Sequence, residues 1–573
     1  MPTLIRWPGK IPAATATDGR ATIIDLSPAG NQPMSSPCGR VTMVYNGEVY
    51  NFQQLRRRLK ARGHSFDSHC DSEVVLRSYL EWGPECVRRF CGMFALAVWD
   101  SRRELLFLAR DPLGMKPLYY TTEITESPGF YFASELRAFR AIPGFKPGMD
   151  RTALASFMEF GYTFDPHLTA YKGVRKLPPG HTLTVRKGKP ELPEPYFSPP
   201  TAVSRSHLPN GTRAGEATDD DTDADSRTEL FAALDTVVRQ HLIADVPVAV
   251  LLSGGLDSSL VASLACRDRP VTTISMGFEG GNFSELKPAR RVAEFIGSDH
   301  QEVTIKAREI RDSLRDTVRV FDDIFADWGT VTTRLLYKKC RERGIKVVLV
   351  GEGSDEVFGG YPKFENALDL SGPRPWRLLR LWHNYGHRRY GRTMWPFFRT
   401  MNRYLAGSGG DWFHAVRLFE TRHQLPNNYV MKVDKASMSV SVEARAPFLD
   451  HRIAGRALSL PKERLLKNGR RKAILREIAA EHELLPPETV NRPKFGGSIA
   501  MNWMDDDPEF RSFARDVVLD GNARWTDRLG LRGAMEDYFD EGRRGYPFPH
   551  PLSLLRVIAW RLMQLNLWSE HYL

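Results

Sequence analysis

Short runs dense in apolar residues, separated by polar turn segments, recur through the first third of the chain, over 41–45, 93–99, 105–109, 129–133 and 181–185. Turn residues bound each run, so the pattern predicts a β-rich domain. Apolar residues recur at helical spacing over 52–62 and 72–81, which predicts two helices among these strands. The segment 198–226 is rich in Pro, Ser, Thr, Gly and Asp, includes Asp219-Asp220-Asp221 and has no apolar period, so it predicts an unstructured linker. Leu230, Leu234, Val237, Val238 and Leu242 then mark an amphipathic helix leading to an apolar strand over 248–252. Helices and buried strands alternate from there to about residue 350, as a parallel α/β sheet requires. Beyond residue 360 the pattern is helical and closes with an apolar-rich stretch over 554–568; no internal repeat is visible. The implied division is a domain over 1–195, a linker over 196–226 and a second domain over 227–573.

Composition narrows the class. A chain of 573 residues has room for two or three domains, and 42% hydrophobic with 26% charged residues is the balance of a soluble globular protein. No apolar run is long enough for a membrane span, and Met-Pro-Thr-Leu-Ile-Arg-Trp-Pro is not a secretory signal, so a cytoplasmic location is expected, with no membrane partner. Six scattered cysteines form no CxxC pair and are expected to be reduced. The net charge of +11 raises the question of nucleic acid. Much of the excess lies between Arg374 and Arg403 among Trp, Tyr and Phe, a pattern that a helical face with arginine stems over apolar side chains accounts for. Nucleic acid is therefore not an expected partner.

The chemistry concentrates in three segments. Ser253-Gly254-Gly255-Leu256-Asp257-Ser258-Ser259 follows a buried strand and precedes an apolar helix expected to start near Leu260. Main-chain amides in such a turn crowd around an anion, and the helix adds its positive end. The glycines permit close approach to phosphate, and Asp257 can hold a Mg²⁺. The lysine of GxxxxGK(S/T) is missing, so the expected chemistry is pyrophosphate binding with AMP formation. The second segment, Val350 to Tyr361, follows a strand over 346–349 and packs Glu352, Asp355 and Glu356 close together, which calls for cations. The third runs from Lys467 to Arg476.

Together these segments resemble the asparagine synthetase family, whose loops read SGGLDSS and GEGSDE(V/L)FGGY. Lys432 to Met438 and Val442 to Asp450 resemble its KVDRxSMxxSxExRxPFLD stretch. The resemblance implies ATP binding by Leu251, Ser253, Gly254, Gly255, Asp257, Ser258, Ser259, Met276 and Gly351, with Mg²⁺ on Asp257 and Asp355. It also implies that Glu352 takes a proton from attacking ammonia and that Lys472, which matches the family lysine before a helix, stabilises charge on the α-phosphate; Asp257 and Asp355 complete the catalytic set. One departure is Val350, where the family commonly has Ser.

The front half resembles the family's N-terminal-nucleophile glutaminase. Arg20 to Gly30 is similar to RLSIIDLSPAG, Asn46 to Asn51 to NGEIYN, and Asp71-Ser72-Glu73 to D(T/S)E. Arg20, Asn46, Gly47, Glu48 and Asp71 are thereby implied to hold glutamine. The family chemistry also needs an N-terminal cysteine whose free amine serves as base. Position 2 is Pro2, the MCGI strand and RGPD loop have no counterpart in 1–19, and Cys38 is internal. The expectation is an incomplete glutaminase domain, either because the recorded start is displaced or because free ammonia supplies the nitrogen.

The fold implied is α/β and α+β: a β-sandwich glutaminase-type domain, then a PP-loop parallel-sheet synthetase domain with a helical C-terminal part. The function implied is asparagine synthesis from aspartate and ATP through β-aspartyl-AMP, with glutamine or ammonia as nitrogen donor and a homodimer as a candidate assembly. The alternatives are an intramolecular amide former of the β-lactam synthetase or lasso-peptide cyclase type, an amidotransferase on another carboxylate, and an RNA-binding PP-loop protein.

Overall fold

The computed structural model describes residues 4–7, 23–25, 27–124, 126, 128–201, 219–279, 285–368, 372–385, 393–493, 504–520, 524–540 and 551–573. The front part is two antiparallel sheets. The larger has the order Lys189–Pro190, His181–Arg186, Leu105–Arg110, Gly92–Asp100, Val41–Val49, Met34–Ser35, with Glu194–Pro195 also pairing His181–Arg186. The smaller runs Leu4–Trp7, Phe130–Ala133, Tyr119–Thr121, Arg175–Lys176. The period of two decides the layering. Along Gly92–Asp100, Ala95 and Ala97 pack between the sheets with Leu106, Leu108, Phe130 and Phe132, while Phe94, Leu96 and Val98 face the helices Phe52–Lys60 and Asp71–Trp82.

Three local expectations change. The strand Leu4–Trp7 pairs with Phe130–Ala133, although the reading of 1–19 found no opening strand; four residues flanked by Pro2 and Pro8 are too few for a period to show. A helix spans Asp219–His241, so it begins inside the expected linker. The apolar period that marks this helix in the sequence begins only at Leu230, so its first turns carry no periodic signal. The helix after the glycine-rich turn is Leu256–Cys266 and begins ahead of Leu260, which puts Asp257 in its first turn.

The second part holds a five-stranded parallel sheet in the order Asp299–Ile305, Thr272–Phe278, Val248–Leu251, Val347–Leu349, Glu443–Arg445. After Val248–Leu251 the chain first builds outward on one side, to Thr272–Phe278, and later on the other, to Val347–Leu349. The crevice beyond the ends of Val248–Leu251 and Val347–Leu349 is thus a topological switch point, where open α/β sheets bind ligands. Both acidic sequence segments leave the sheet there.

The C-terminal helix Pro551–Tyr572 joins the two parts, packing Ile558, Trp560 and Trp568 in one core with Tyr119, Tyr131 and Ala133 of the smaller sheet. Helices Arg374–Tyr385 and Met394–Gly407 bury Leu378, Leu381, Trp382, Phe397 and Met401, and the Arg377 guanidinium lies 4.1 Å from the Trp412 ring centre. Arginine over aromatic surface is the arrangement expected for that basic stretch. No described helix is long and apolar enough to cross a membrane.

Buried charges fasten the parts together. Asp322 pairs with Lys435 and accepts the Arg137 amide at 3.0 Å, and Asp323 accepts the Ala170 amide at 2.9 Å and lies 3.4 Å from Lys176. Lys116 donates to Asp434 at 2.8 Å.

Candidate active site

Ser253 lies just past the end of Val248–Leu251, and the chain turns at Gly254, whose φ of +69° is the left-handed region. A Cβ on Gly254 would stand 2.6 Å from the Ala289 nitrogen, so both backbone angle and space demand glycine. The Ser253 and Ser258 hydroxyls lie 2.9 Å apart and brace the turn. The second loop presses against the first: a Cβ on Gly351 would come within 2.7 Å of the Ser258 nitrogen, and the Ser354 hydroxyl donates to Asp257 Oδ1 at 2.8 Å.

Lys472 completes the site from a distant part of the sequence. It is the N-terminal capping residue of the helix Ala473–Glu481 and has a left-handed φ of 57°. Its Nζ donates to Asp257 Oδ2 at 2.6 Å and lies 2.5 Å from Asp355 Oδ1. Burial works to lower the Lys472 pKa, but the Asp257 and Asp355 carboxylates prevail and hold the ammonium above its ordinary value. One ammonium thus ties the helix Ala473–Glu481 to both sheet-end loops. Gly360 gives it room: a methyl there would overlap both Asp355 Oδ1 and the Lys472 side chain. Gly360→Ala is expected to slow any chemistry at this site by about 10²-fold, the effect of roughly 1 Å of misplacement. Comparison of turnover with the wild type at equal ATP affinity checks this.

A cavity of about 480 Å³ opens at this point. Leu251, Ser253, Gly255, Asp257, Ser258, Met276, Gly351, Glu352, Asp355 and Lys472 border it. Gly254 shapes the turn without lining the cavity, and Ser259 is wholly buried in the loop helix. A second cavity, of about 410 Å³, lies in the front part and is bordered by Asn46, Gly47, Glu48 and Asp71. Arg20 lies outside the described residues. Asp71 accepts from the Tyr45 hydroxyl at 2.7 Å and the Val49 amide at 3.0 Å; burial raises its pKa, and burial with Asp71 nearby raises that of Glu48 well above the usual range. Gly47 has a φ of +151° and would drive a Cβ into the Met93 carbonyl, so the glycine fits two strands in close approach. Cys38 is exposed and does not border this cavity. A third, small cavity of about 10 Å³ touches Glu352 and lies where Met93 and Met115 of the front part meet Val433, Asp434 and Leu449 of the second.

Residues 229–570 match the family described as Asparagine synthase, and residues 10–197 match one described as Glutamine amidotransferase domain. The chain belongs to the asparagine synthase family. It is 34% identical to asparagine synthetase [glutamine-hydrolyzing] 3 of Bacillus subtilis over 83% of this chain and 78% of that protein. It is 31% identical to a putative asparagine synthetase of Mycobacterium tuberculosis over 85% of this chain and 79% of that protein, and 28% identical to asparagine synthetase B of Escherichia coli over 85% and 75%.

In this asparagine synthase family chain several cavity residues carried no sequence signal. Arg492 donates to the Gly254 carbonyl at 2.9 Å, and Arg476 donates to the carbonyls of Arg471 at 2.9 Å and Arg492 at 3.2 Å, and to that of Val490. With Arg470 and Arg471 they form a cationic wall beside Lys472. Isolated arginines in a helix and a turn read as surface charges; only the tertiary fold turns them toward the glycine-rich turn.

Proposed function

We propose that this enzyme is an ATP-dependent carbon–nitrogen ligase that makes asparagine from aspartate. The β-carboxylate of aspartate attacks the α-phosphorus of ATP, pyrophosphate leaves, and ammonia then attacks the β-aspartyl-AMP carbonyl to release AMP. The observation that carries this reading is the single ammonium of Lys472 between Asp257 and Asp355 at the switch point. It stands where negative charge grows on a transferring phosphate, and family membership supplies the reaction class. Glu352 borders both the nucleotide cavity and the small interface cavity, the position for accepting a proton from ammonia that arrives through the interface. The Ser253 to Ser259 turn and the arginine wall hold the phosphates.

Asp257 and Asp355 fit a Mg²⁺ bound mainly through phosphate oxygens, since Mg²⁺ commonly takes one or two carboxylates together with substrate phosphates. When bound, the ion neutralises pyrophosphate charge. Asn46, Gly47, Glu48 and Asp71, with Arg20, are assigned to glutamine in the front cavity, with glutamine or free ammonia as nitrogen donor. The working division is a glutaminase-type domain over 1–195, a linker and a synthetase domain over 227–573, in a cytoplasmic enzyme that acts on small molecules, with a homodimer as its candidate assembly.

Exchange of labelled pyrophosphate into ATP tests the assignment. It is expected with aspartate present, and exchange with a different carboxylic acid alone would reassign the acceptor. Intact-mass analysis of the product separates amidation, a gain of ammonia less water, from cyclisation, a loss of water alone.

A further inference from the structure

Arg445 stands between the nucleotide-side cavity and the front cavity. It is fully buried, and its guanidinium serves four acceptors: Glu443 Oε1 at 2.7 Å, the His241 and Ile243 carbonyls each at 2.7 Å, and Glu48 Oε2 at 3.1 Å. Three of these belong to the synthetase part and the fourth, Glu48, to the front part, 397 positions away in sequence; both Glu48 and Glu443 border the front cavity. Two carboxylates, Glu48 and Glu443, therefore share one guanidinium, and Asp71 adds a third negative charge beside Glu48. Glu48 is 3% exposed and borders the front cavity, yet its Oε1 has no hydrogen-bond partner among the described residues. Arg445 and the nearby Lys116 supply the cations of this set, and neither donates to that oxygen. An α-ammonium in the cavity has the charge and donors to do so.

The other face of Arg445 reaches the nucleotide loop. Among the described residues Glu443–Arg445 is the edge strand of the parallel sheet and pairs only with Val347–Leu349. Its last carbonyl accepts the Val350 amide at 2.9 Å, immediately before Gly351 and Glu352. A short edge strand with a ladder on one side alone is held on its other side by what its side chains grip, here Glu48.

We propose that Arg445 is a positioning residue that couples the two cavities: an α-ammonium bound at Glu48 resets the sharing of Arg445 between Glu48 and Glu443, and so the seating of the edge strand against the loop bearing Glu352. This rests on the front cavity's binding the amino-acid end of glutamine. Binding linkage is reciprocal, so glutamine must change the affinity for ATP by the factor by which ATP changes the affinity for glutamine.

Calorimetry on the full chain tests this, with glutamine and a non-hydrolysable ATP analogue plus Mg²⁺, each titrated with and without the other. The expected factor is about fivefold in both directions, the low end of common couplings. Arg445→Lys and Glu443→Gln are both expected to bring it to one while glutamine still binds. The first cannot serve four acceptors, and the second leaves Arg445 on Glu48 whether or not the cavity is filled. If Arg445→Lys fails to fold, Glu443→Gln carries the test. A wild-type factor of one with glutamine bound, or a factor unchanged in the folded variants, overturns the coupling alone. Absence of glutamine binding to the wild type overturns both the coupling and the glutamine assignment of the front cavity.

Discussion

Lys472→Met is expected to lower aspartate-dependent pyrophosphate exchange by about 10³-fold, the upper range for losing one preorganised donor at a site of developing charge. Methionine has nearly the same length, so the helix Ala473–Glu481 can keep its place while the charge is lost. Two effects then add. The α-phosphate loses its cation, and Asp257 and Asp355, each in contact with the ammonium, face one another without it. The loss should fall on turnover more than on the KM for aspartate, because the lysine meets charge that grows during the transfer. Lys472→Arg should not rescue, since the side chain already fills the space that a methyl on Gly360 would need, and a guanidinium is wider. A loss under tenfold in Lys472→Met would refute the assigned role.

The second large effect concerns stability. Asp322→Asn is expected to cost about 3–5 kcal/mol, the range for leaving one member of a buried pair without its partner. Lys435 and Asp322 are both buried; burial raises the Asp322 pKa to about 6, while burial opposed by the Asp322 carboxylate leaves Lys435 held well above the ordinary lysine value. Asparagine keeps the shape and tolerates the left-handed φ of 47° at this position, so the substitution tests charge rather than backbone strain. The pair sits where the Arg137 amide of the front part meets the synthetase part, so urea unfolding should begin with separation of the two. The double change Asp322→Asn with Lys435→Met should recover much of the loss, because it removes the stranded ammonium. Destabilisation of the double variant equal to the sum of the two singles would show that the pair does not act as a unit.

How much the sequence discloses depends on how far apart the participants lie. The glycine-rich turn is legible because strand, turn and helix are contiguous and each residue type has a local reason to be there. The strand Gly92–Asp100 is legible from its short unbroken apolar run over 93–99, apolar throughout because each face packs on a different layer. The position of Lys472 is visible only through resemblance, since a lysine before a helix says nothing of a carboxylate 215 residues away. Arg492 carries no local signal at all, and Arg476 ends the Lys467 to Arg476 segment without a role that its neighbours in sequence would assign. The contacts that join the parts, Glu48 with Arg445 and Lys116 with Asp434, span 397 and 318 positions and become apparent only in three dimensions. The helix start at Asp219 is hidden for a different reason: the apolar pattern begins later, at Leu230.

The left-handed backbone of Lys472 is a strain that its two ion pairs hold in place. A non-glycine residue in that conformation costs on the order of 1–2 kcal/mol. Glycine at this position would relieve the strain and at the same time remove the ammonium. That change would also strand the Asp257 and Asp355 carboxylates, which costs more than the strain it relieves, so the left-handed lysine is expected to persist even among variants selected for melting temperature alone.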